Sequence, residues 1–511
     1  MKDHILFKYS EAICKFLFCG IFIFMLYAYY ARNYLYSVDD SFITFKYAIN
    51  LIQGNGLVFN VDENYFGTTA GGYAILIAIV YQIQSLFDLG LTVQNSSVLL
   101  STVGLAAISI LFVSFIKFDN KIVTWLLSIL VILFVPTLWV FNSAAGHETY
   151  TYLGLVSISL LLFRKGEISI LFSGLVLGIA FTVRPDAALF APIMCLTYVF
   201  QNRLHIKHWL RTVDLWLFSI GFFLIALPWL SFTTLYFGIP FPGTMDAKIA
   251  QVDMGYWPLY DAQTLFNSIS RNLPNWLVCL VLIGAVYFSF KNIRPRTQLS
   301  EKTQFIAIVW FLFAILSSSF YFYLDVTYWE WYGIPIMLGL MVLGWVGVYY
   351  LLSDILRKVS SSSLSFVLLS CLLLFQLSSV YSWAKIENYN PHIYAYTEVA
   401  DYLLATEPEG TTIQMAEPGS FSFQLGPKYK IIDELGLISP LVAKELREKN
   451  YTFSNENFKA KYIVCSWGGV YSACHHPDIM VNYALVGEFN KDFWEPRIGR
   501  GARLYRVNEG D

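Results

Sequence analysis

The chain is short of charge. Only 14% of its 511 residues are Asp, Glu, Lys or Arg, against about 25% in soluble domains. That shortage excludes a soluble enzyme wetted on all sides. The net charge of -2 excludes the basic excess of a nucleic-acid binder, so no nucleic-acid partner is expected. Cysteine is sparse, at seven residues. The sequence has no CxxC pair, no HExxH and no Walker-type loop, so the zinc and nucleotide chemistries those motifs carry are not signalled. Internal repeats, heptads and low-complexity tracts are also missing, which argues against solenoids and coiled coils.

What the chain has is apolar length. Hydrophobic residues make up 56% and the mean hydropathy is +0.54. Aromatics reach 18%, with 34 Tyr and 14 Trp, as suits belts at membrane interfaces. The pattern predicts a polytopic α-helical membrane protein with about eleven transmembrane helices. They are expected at 13–35, 97–116, 122–141, 149–163, 168–183, 187–200, 213–236, 273–290, 304–322, 333–352 and 364–383. The N-terminus is basic and then apolar like a signal peptide, but its run is too long and no small-residue cleavage site follows. It is read as a retained helix.

The segment 72–88 is apolar enough to cross as well. With eleven spans and the N-terminus inside, the cytoplasmic loops carry Lys117, Lys121, Arg164, Lys165, Arg203, Lys207, Arg211, Lys291, Arg294, Arg296, Lys302, Arg357 and Lys358. The outer loops carry few basic residues. A twelfth crossing at 72–88 would invert every later loop against the positive-inside rule. That segment is therefore expected to dip in or lie at the surface. Residues 1–384 form the membrane module, with 37–90 as its first external loop. Residues 385–511 are polar, carry short β-like runs at Lys430–Ile432 and Tyr462–Cys465, and are long enough for their own core. They are expected to be an external α/β domain. Cys14, Cys19, Cys195, Cys279 and Cys371 fall in apolar runs and read as core thiols. Cys465 and Cys474 can pair if that domain lies outside the cytoplasm.

In this orientation the conspicuous polar residues fall on one face. Each has a plain reading beside the functional one. Asp39 and Asp40 either cap the amphipathic helix Ser41–Gln53 or supply carboxylates for acid–base work. Arg184 either reaches to the interface and pairs with Asp186 or binds phosphate. Lys248 is either solvated or a phosphate ligand. His147, beside Glu148, is either a packed interfacial histidine or part of the site. The run Tyr328–Trp329–Glu330–Trp331–Tyr332 is either an aromatic belt or a sugar platform. Glu63 and Thr244 lie in the same set of loops. Ionisable groups at the ends of apolar runs are costly to keep there, which favours function.

Taken together, these residues resemble a family. DDSFITFKYAINLIQGNGLVFNVDENYFGTTAGG, residues 39–72, looks like the first external loop of bacterial GT-C glycosyltransferases, and most of all the mycobacterial terminal arabinofuranosyltransferases. GHET at 146–149, RPD at 184–186, YFGIPFPGTMDAK at 236–248 and KYKIIDELGLISP at 428–440 also resemble that family's segments. Phe66, Ala70, Gly71, His147 and Gly243 depart from its pattern, so the sugar is not carried over. His147 gains no support from it; Glu148 does.

The resemblance implies a GT-C fold with juxtamembrane helices in the first loop. It implies an inverting transferase that moves a sugar from a polyprenyl-phosphate-linked donor to a hydroxyl on the outer face of a bacterial cytoplasmic membrane. The acceptor would be a glycan, lipid or protein of the cell envelope. By analogy Asp39 is the base and Asp40 the orienting carboxylate, or the reverse. Arg184 and Lys248, with His147, are candidates for the donor phosphate. Glu63, Glu148, Asp186, Thr244, Tyr328, Glu330 and Tyr332 are candidates for sugar or acceptor contacts. No residue set is assigned to a metal, and a divalent cation is left open. The rival class is a lipid or glycan transporter or flippase without transfer chemistry. A tag or cysteine at Lys385 is expected to react with an impermeant label in intact cells. Labelling only after permeabilisation would reverse the orientation.

Overall fold

A computed structural model describes residues 38–115, 146–163, 166–203, 209, 211–253, 258–272, 282–284, 286, 301–358, 391–465, 473–489 and 501–508. The first external loop supplies α1 (Asp39–Ile52) and α2 (Gly71–Leu86). The bundle follows as α3 (Val93–Val113), α4 (Glu148–Leu162), α5 (Glu167–Val183), α6 (Phe190–Gln201) and α7 (Val213–Phe237). Two shorter helices, α8 (Thr244–Asp253) and α9 (Ala262–Asn272), precede α10 (Glu301–Leu324) and α11 (Glu330–Lys358).

Among the described residues four helices are long and apolar enough to cross a membrane: Val93–Val113, Val213–Phe237, Glu301–Leu324 and Glu330–Gly347. The runs expected at 149–163 and 168–183 appear as α4 and α5. The run expected at 187–200 is not one helix. Arg184 is extended (φ -153°), Pro185–Leu189 form a 3-10 turn, and only then does α6 begin. Proline lacks the N–H that a continuous helix would use, and it pushes the residue before it out of helical geometry. The spans expected at 13–35, 122–141 and 364–383, and nearly all of 273–290, lie outside the described residues, as do Cys14, Cys19, Cys279 and Cys371.

Helix α2 lies across the start of α3. Tyr73 donates to the Ser97 carbonyl at 3.0 Å, and Gln84, eleven residues on, donates to Ser96 Oγ. Both contacts fall on the first turns of α3, so α2 does not run antiparallel alongside it as a hairpin partner would. At the opposite end of α4 from Glu148, Lys302 reaches the Leu161 carbonyl at 3.2 Å. Where they are described, the basic ends and the conspicuous polar residues thus occupy opposite ends of the bundle.

The C-terminal part starts with α12 (Pro391–Thr406). It continues through β1 (Thr412–Met415), α13 (Gly419–Leu425), β2 (Lys430–Asp433), α14 (Pro440–Arg447), α15 (Phe453–Phe458), β3 (Tyr462–Cys465), β4 (Tyr483–Phe489) and β5 (Ala502–Val507). The sheet order is β2-β1-β3-β5-β4. β1 pairs in parallel with β2 and β3, while β5 is antiparallel to β3 and β4. A disulfide joins Cys465 and Cys474.

The junction between the two parts rests on α1 and α13, which run parallel. Asp39 accepts from Gly419 N at 2.9 Å, Ser420 N at 2.7 Å and Ser420 Oγ at 2.8 Å. Lys46, two turns later and fully buried, donates to the Ser422 carbonyl at 2.7 Å and to the Gly426 carbonyl. A carboxyl at the start of α13 and an amino group at its end satisfy its terminal N–H and C=O groups, and burial pushes Lys46 down to about 7. Phe42 and Phe45 pack edge-on against Phe423 between them. Asp39 therefore does not cap its own helix: Val38 is the N-cap and no side chain caps it. A Cβ on Gly419 would meet Asp39 O at 2.0 Å and Asp39 Oδ2 at 2.4 Å. Gly419→Ala is expected to lower stability by about 1–3 kcal/mol through overpacking. Thermal unfolding in detergent checks this; an unchanged midpoint would remove the contact from the account.

Candidate active site

Successive helical residues point about 100° apart. Asp39 faces α13, so Asp40 faces elsewhere, and its Oδ2 lies 3.4 Å from Lys248 Nζ. Lys248 comes from α8 and is buried; its ammonium also sits over the Trp329 ring at 4.9 Å. The loop before α8 is held by Gly243 N donating to the Phe66 carbonyl at 3.0 Å. A Cβ on Gly243 would meet the Tyr65 hydroxyl at 2.1 Å, and Phe66 stacks on Phe237 with ring centres 4.6 Å apart. The two departures at 66 and 243 thus pack together to place Lys248.

Arg184, 2% exposed, is held between two carboxylates. Nη1 meets Glu148 Oε1 at 2.9 Å and Nε meets Asp186 Oδ2 at 2.8 Å. Tyr321 donates to the same Asp186 oxygen at 2.6 Å, and the guanidinium lies over Tyr152 and Tyr332 at 5.7 and 5.3 Å. The extended backbone imposed by Pro185 turns Arg184 and Asp186 back onto the head of α4. His147 pairs through Nε2 with Glu148 at 3.2 Å and through Nδ1 with Thr149 at 2.7 Å. Burial, with Arg184 and Lys248 nearby, holds its pKa well below the usual histidine range. That direction favours the neutral imidazole, which keeps one N–H to donate.

Two cavities meet at this point. One of about 490 Å³ is almost wholly apolar, walled by Phe241, Phe320 and Leu324, with Arg184, Asp186 and Lys248 at its polar end. The other, about 210 Å³, lies against the C-terminal part and includes Asp39, Asp40 and Lys248 in its wall. A narrow space between them is lined by Asp40, His147, Glu148, Thr244, Lys248 and Tyr332. Lys248 borders all three.

Of the residues singled out from sequence, Asp39, Asp40, His147, Glu148, Arg184, Asp186, Thr244, Lys248 and Tyr332 converge here. Three do not. Glu63 pairs with Lys430 at 2.5 Å and ties the first loop to β2. Tyr328 packs on Tyr260 with its amide donating to Pro258, and Glu330 opens α11; neither lines these cavities. Trp329 and Trp331 stack on one another at 5.0 Å, flanked by Lys248 and His147, so they act as wall rather than open platform. Gln251, Tyr321, Tyr396 and Glu417 line the cavities without having been foreseen. Gln251 was findable, since it lies one turn past Lys248 on α8; Glu417 depends on how the C-terminal part docks.

Three of the acidic groups at this site are paired with the chain's own cations: Asp40 with Lys248, and Glu148 and Asp186 with Arg184. No group of three metal-ligating side chains occurs among the described residues. No step below is routed through a metal.

These elements define a mostly helical fold, with four helices among the described residues long and apolar enough to cross a membrane and a small C-terminal sheet, and at the level of the fold the resemblance read from the sequence is borne out by the solved structures it matches. The solved structures it matches include ArnT from Cupriavidus metallidurans in the apo state, at TM-score 0.53 and 12% identity over 91% of this chain and 92% of that one. ArnT bound to undecaprenyl phosphate matches at 0.52 and 11% over 92% and 94%. An Archaeoglobus fulgidus oligosaccharyltransferase tethered with an acceptor peptide matches at 0.51 and 12% over 92% and 70%. No family model matches the sequence, and no curated protein does.

Burial pushes Asp39 up to about 7, with repulsion from Glu417 and Asp40 adding to it and the Ser420 bonds opposing it. Burial likewise pushes Glu417 up to about 7, against the bond from Tyr396 and with Asp40 adding. Between the ordinary carboxylate range and about 7, the folded chain holds protons here that the unfolded chain has released, so this pair's contribution falls as pH rises. The thermal midpoint is expected to drop between about pH 4.5 and about pH 7, and Glu417→Gln to shrink that drop. A variant that keeps the full drop would assign it to other groups.

Proposed function

We propose that the chain is an inverting glycosyltransferase that moves a sugar from a polyprenyl-phosphate-linked donor to an acceptor hydroxyl on the outer face of a bacterial cytoplasmic membrane. The observation that carries this is the Asp40–Lys248 pair at the meeting of an apolar cavity and a polar one. The apolar cavity suits a lipid tail ending at cations, and the neighbouring ArnT structure with undecaprenyl phosphate bound supports that use. The basic loops and the disulfide, which favours an oxidising compartment, support this orientation.

Asp40 is the base. The acceptor oxygen attacks the anomeric carbon, its proton passes to the Asp40 carboxylate, and the bond from that carbon to the phosphate oxygen breaks. Charge grows on the departing polyprenyl phosphate, where Lys248 and the remaining N–H groups of Arg184 offset it. Glu148 and Asp186 hold Arg184 in place. Asp39, assigned first place by family analogy, is a structural carboxylate in this scheme because its oxygens already accept three bonds from α13.

Purified protein given a panel of lipid-linked sugars with an acceptor is expected to release free polyprenyl phosphate. Asp40→Asn should lower turnover by about 10²-fold or more with donor binding kept. Lys248→Ala should instead weaken donor binding by about tenfold or more. Wild-type turnover in the Asp40 variant would dismiss it as the base; movement of intact donor across a bilayer with no phosphate released would favour the transporter.

A further inference from the structure

The cavity of about 210 Å³ is walled by residues from both parts of the chain: Asp40, Gln251, Trp329 and Trp331 from one, Tyr396 and Glu417 from the other. Its polar groups share one character. Asp40 and Glu417 offer carboxylate oxygens. Gln251 is 1% exposed, and its Oε1 has no hydrogen-bond partner among the described residues. An acceptor atom buried without a partner costs free energy that a bound donor would recover. The Lys248 ammonium is already directed at Asp40 and Trp329. Such a cavity calls for a ligand rich in donors.

Glu417 is held at the cavity from two sides. Tyr396 donates to its Oε2 at 2.8 Å. Two residues on, Gly419 begins the helix whose ends are gripped by Asp39 and Lys46. Because Asp39 adjoins Asp40 in sequence, this grip fixes the spacing between Asp40 and Glu417.

We propose that this cavity is the acceptor subsite, that it takes a single polyhydroxylated sugar ring, and that Glu417 orients that ring by accepting its hydroxyl groups. The inference rests on the transferase reading. Neighbouring ring hydroxyls supply several donors in fixed directions, so one can face Asp40 for deprotonation while others meet Glu417 and Gln251. The volume is below the range of about 300–1,000 Å³ typical of larger ligands, which selects one ring over a chain of rings. A primary amine would also bring donors, and a hydroxyl-bearing peptide would bring the nucleophile; both are outcomes of the test.

The test supplies the full-length protein with a lipid-linked sugar and, in turn, methyl glycosides, serine-containing peptides and ethanolamine. Wild type, Glu417→Gln and Gln251→Met are compared, with thermal unfolding as the folding control. Methyl glycosides are expected to be the substrates. Assayed at about pH 8, where Glu417 is ionised, Glu417→Gln should raise their KM by about tenfold, the weight of one charge-assisted hydrogen bond, with donor KM and kcat near wild type. Gln251→Met should act in the same direction. Preference for peptide or ethanolamine, unchanged acceptor KM in both variants, or a rise in donor KM instead would overturn the subsite while leaving the transferase standing. If wild type transfers to nothing and releases no polyprenyl phosphate, both readings fall. Should Glu417→Gln not fold, Gln251→Met alone decides.

Discussion

Two neighbouring carboxylates on one helix cannot face the same way, and much of this molecule is arranged around that constraint. Asp39 and Asp40 open α1 about 100° apart. The first is taken up by the amides of α13 and the second points to Lys248. Joining the C-terminal part to the bundle and presenting a carboxylate to the cavities are thus consecutive acts of one dipeptide. Lys46, on the same face of α1 as Asp39, completes the grip. A buried lysine is costly unless its donors are met, and here they meet carbonyls at the end of the helix that Asp39 begins.

Electrostatics at the bundle end follow a similar division of labour. Arg184 is neutralised by Glu148 and Asp186 and flanked by tyrosine rings, so it is a fixed part of the wall. Breaking such a buried set would leave a charge without compensation. Lys248 is the more loosely held cation: its one carboxylate contact is 3.4 Å long and it borders each of the cavities. In the proposed reaction this cation answers the charge that appears on the departing phosphate. His147, whose pKa burial holds low, pairs with Glu148.

Much of this was legible in the sequence. Low charge and long apolar runs gave the class; Pro, Gly and the polar motifs marked the loops; and the islands at 39–72, 146–149, 184–186 and 236–248 hold most of the residues that converge. What was not legible depends on distance in the chain. Whether Asp39 or Asp40 faces the cavity is set by α13, some 380 positions away. Glu63 looked like a site residue because it shares a loop with the aspartates, yet its partner is Lys430. Tyr328 and Glu330 sit in an aromatic run whose outward face no local pattern reveals. The break at Pro185 was written in the sequence, but the apolar run over 187–200 masked it.

The most direct measurement is a structure of the protein with polyprenyl phosphate added. The account predicts the phosphate within hydrogen-bond reach of Lys248 Nζ, near Arg184, with the lipid chain along the cavity walled by Phe241, Phe320 and Leu324. A phosphate bound at the other end of the bundle, or a lipid chain that leaves this cavity empty, would contradict it.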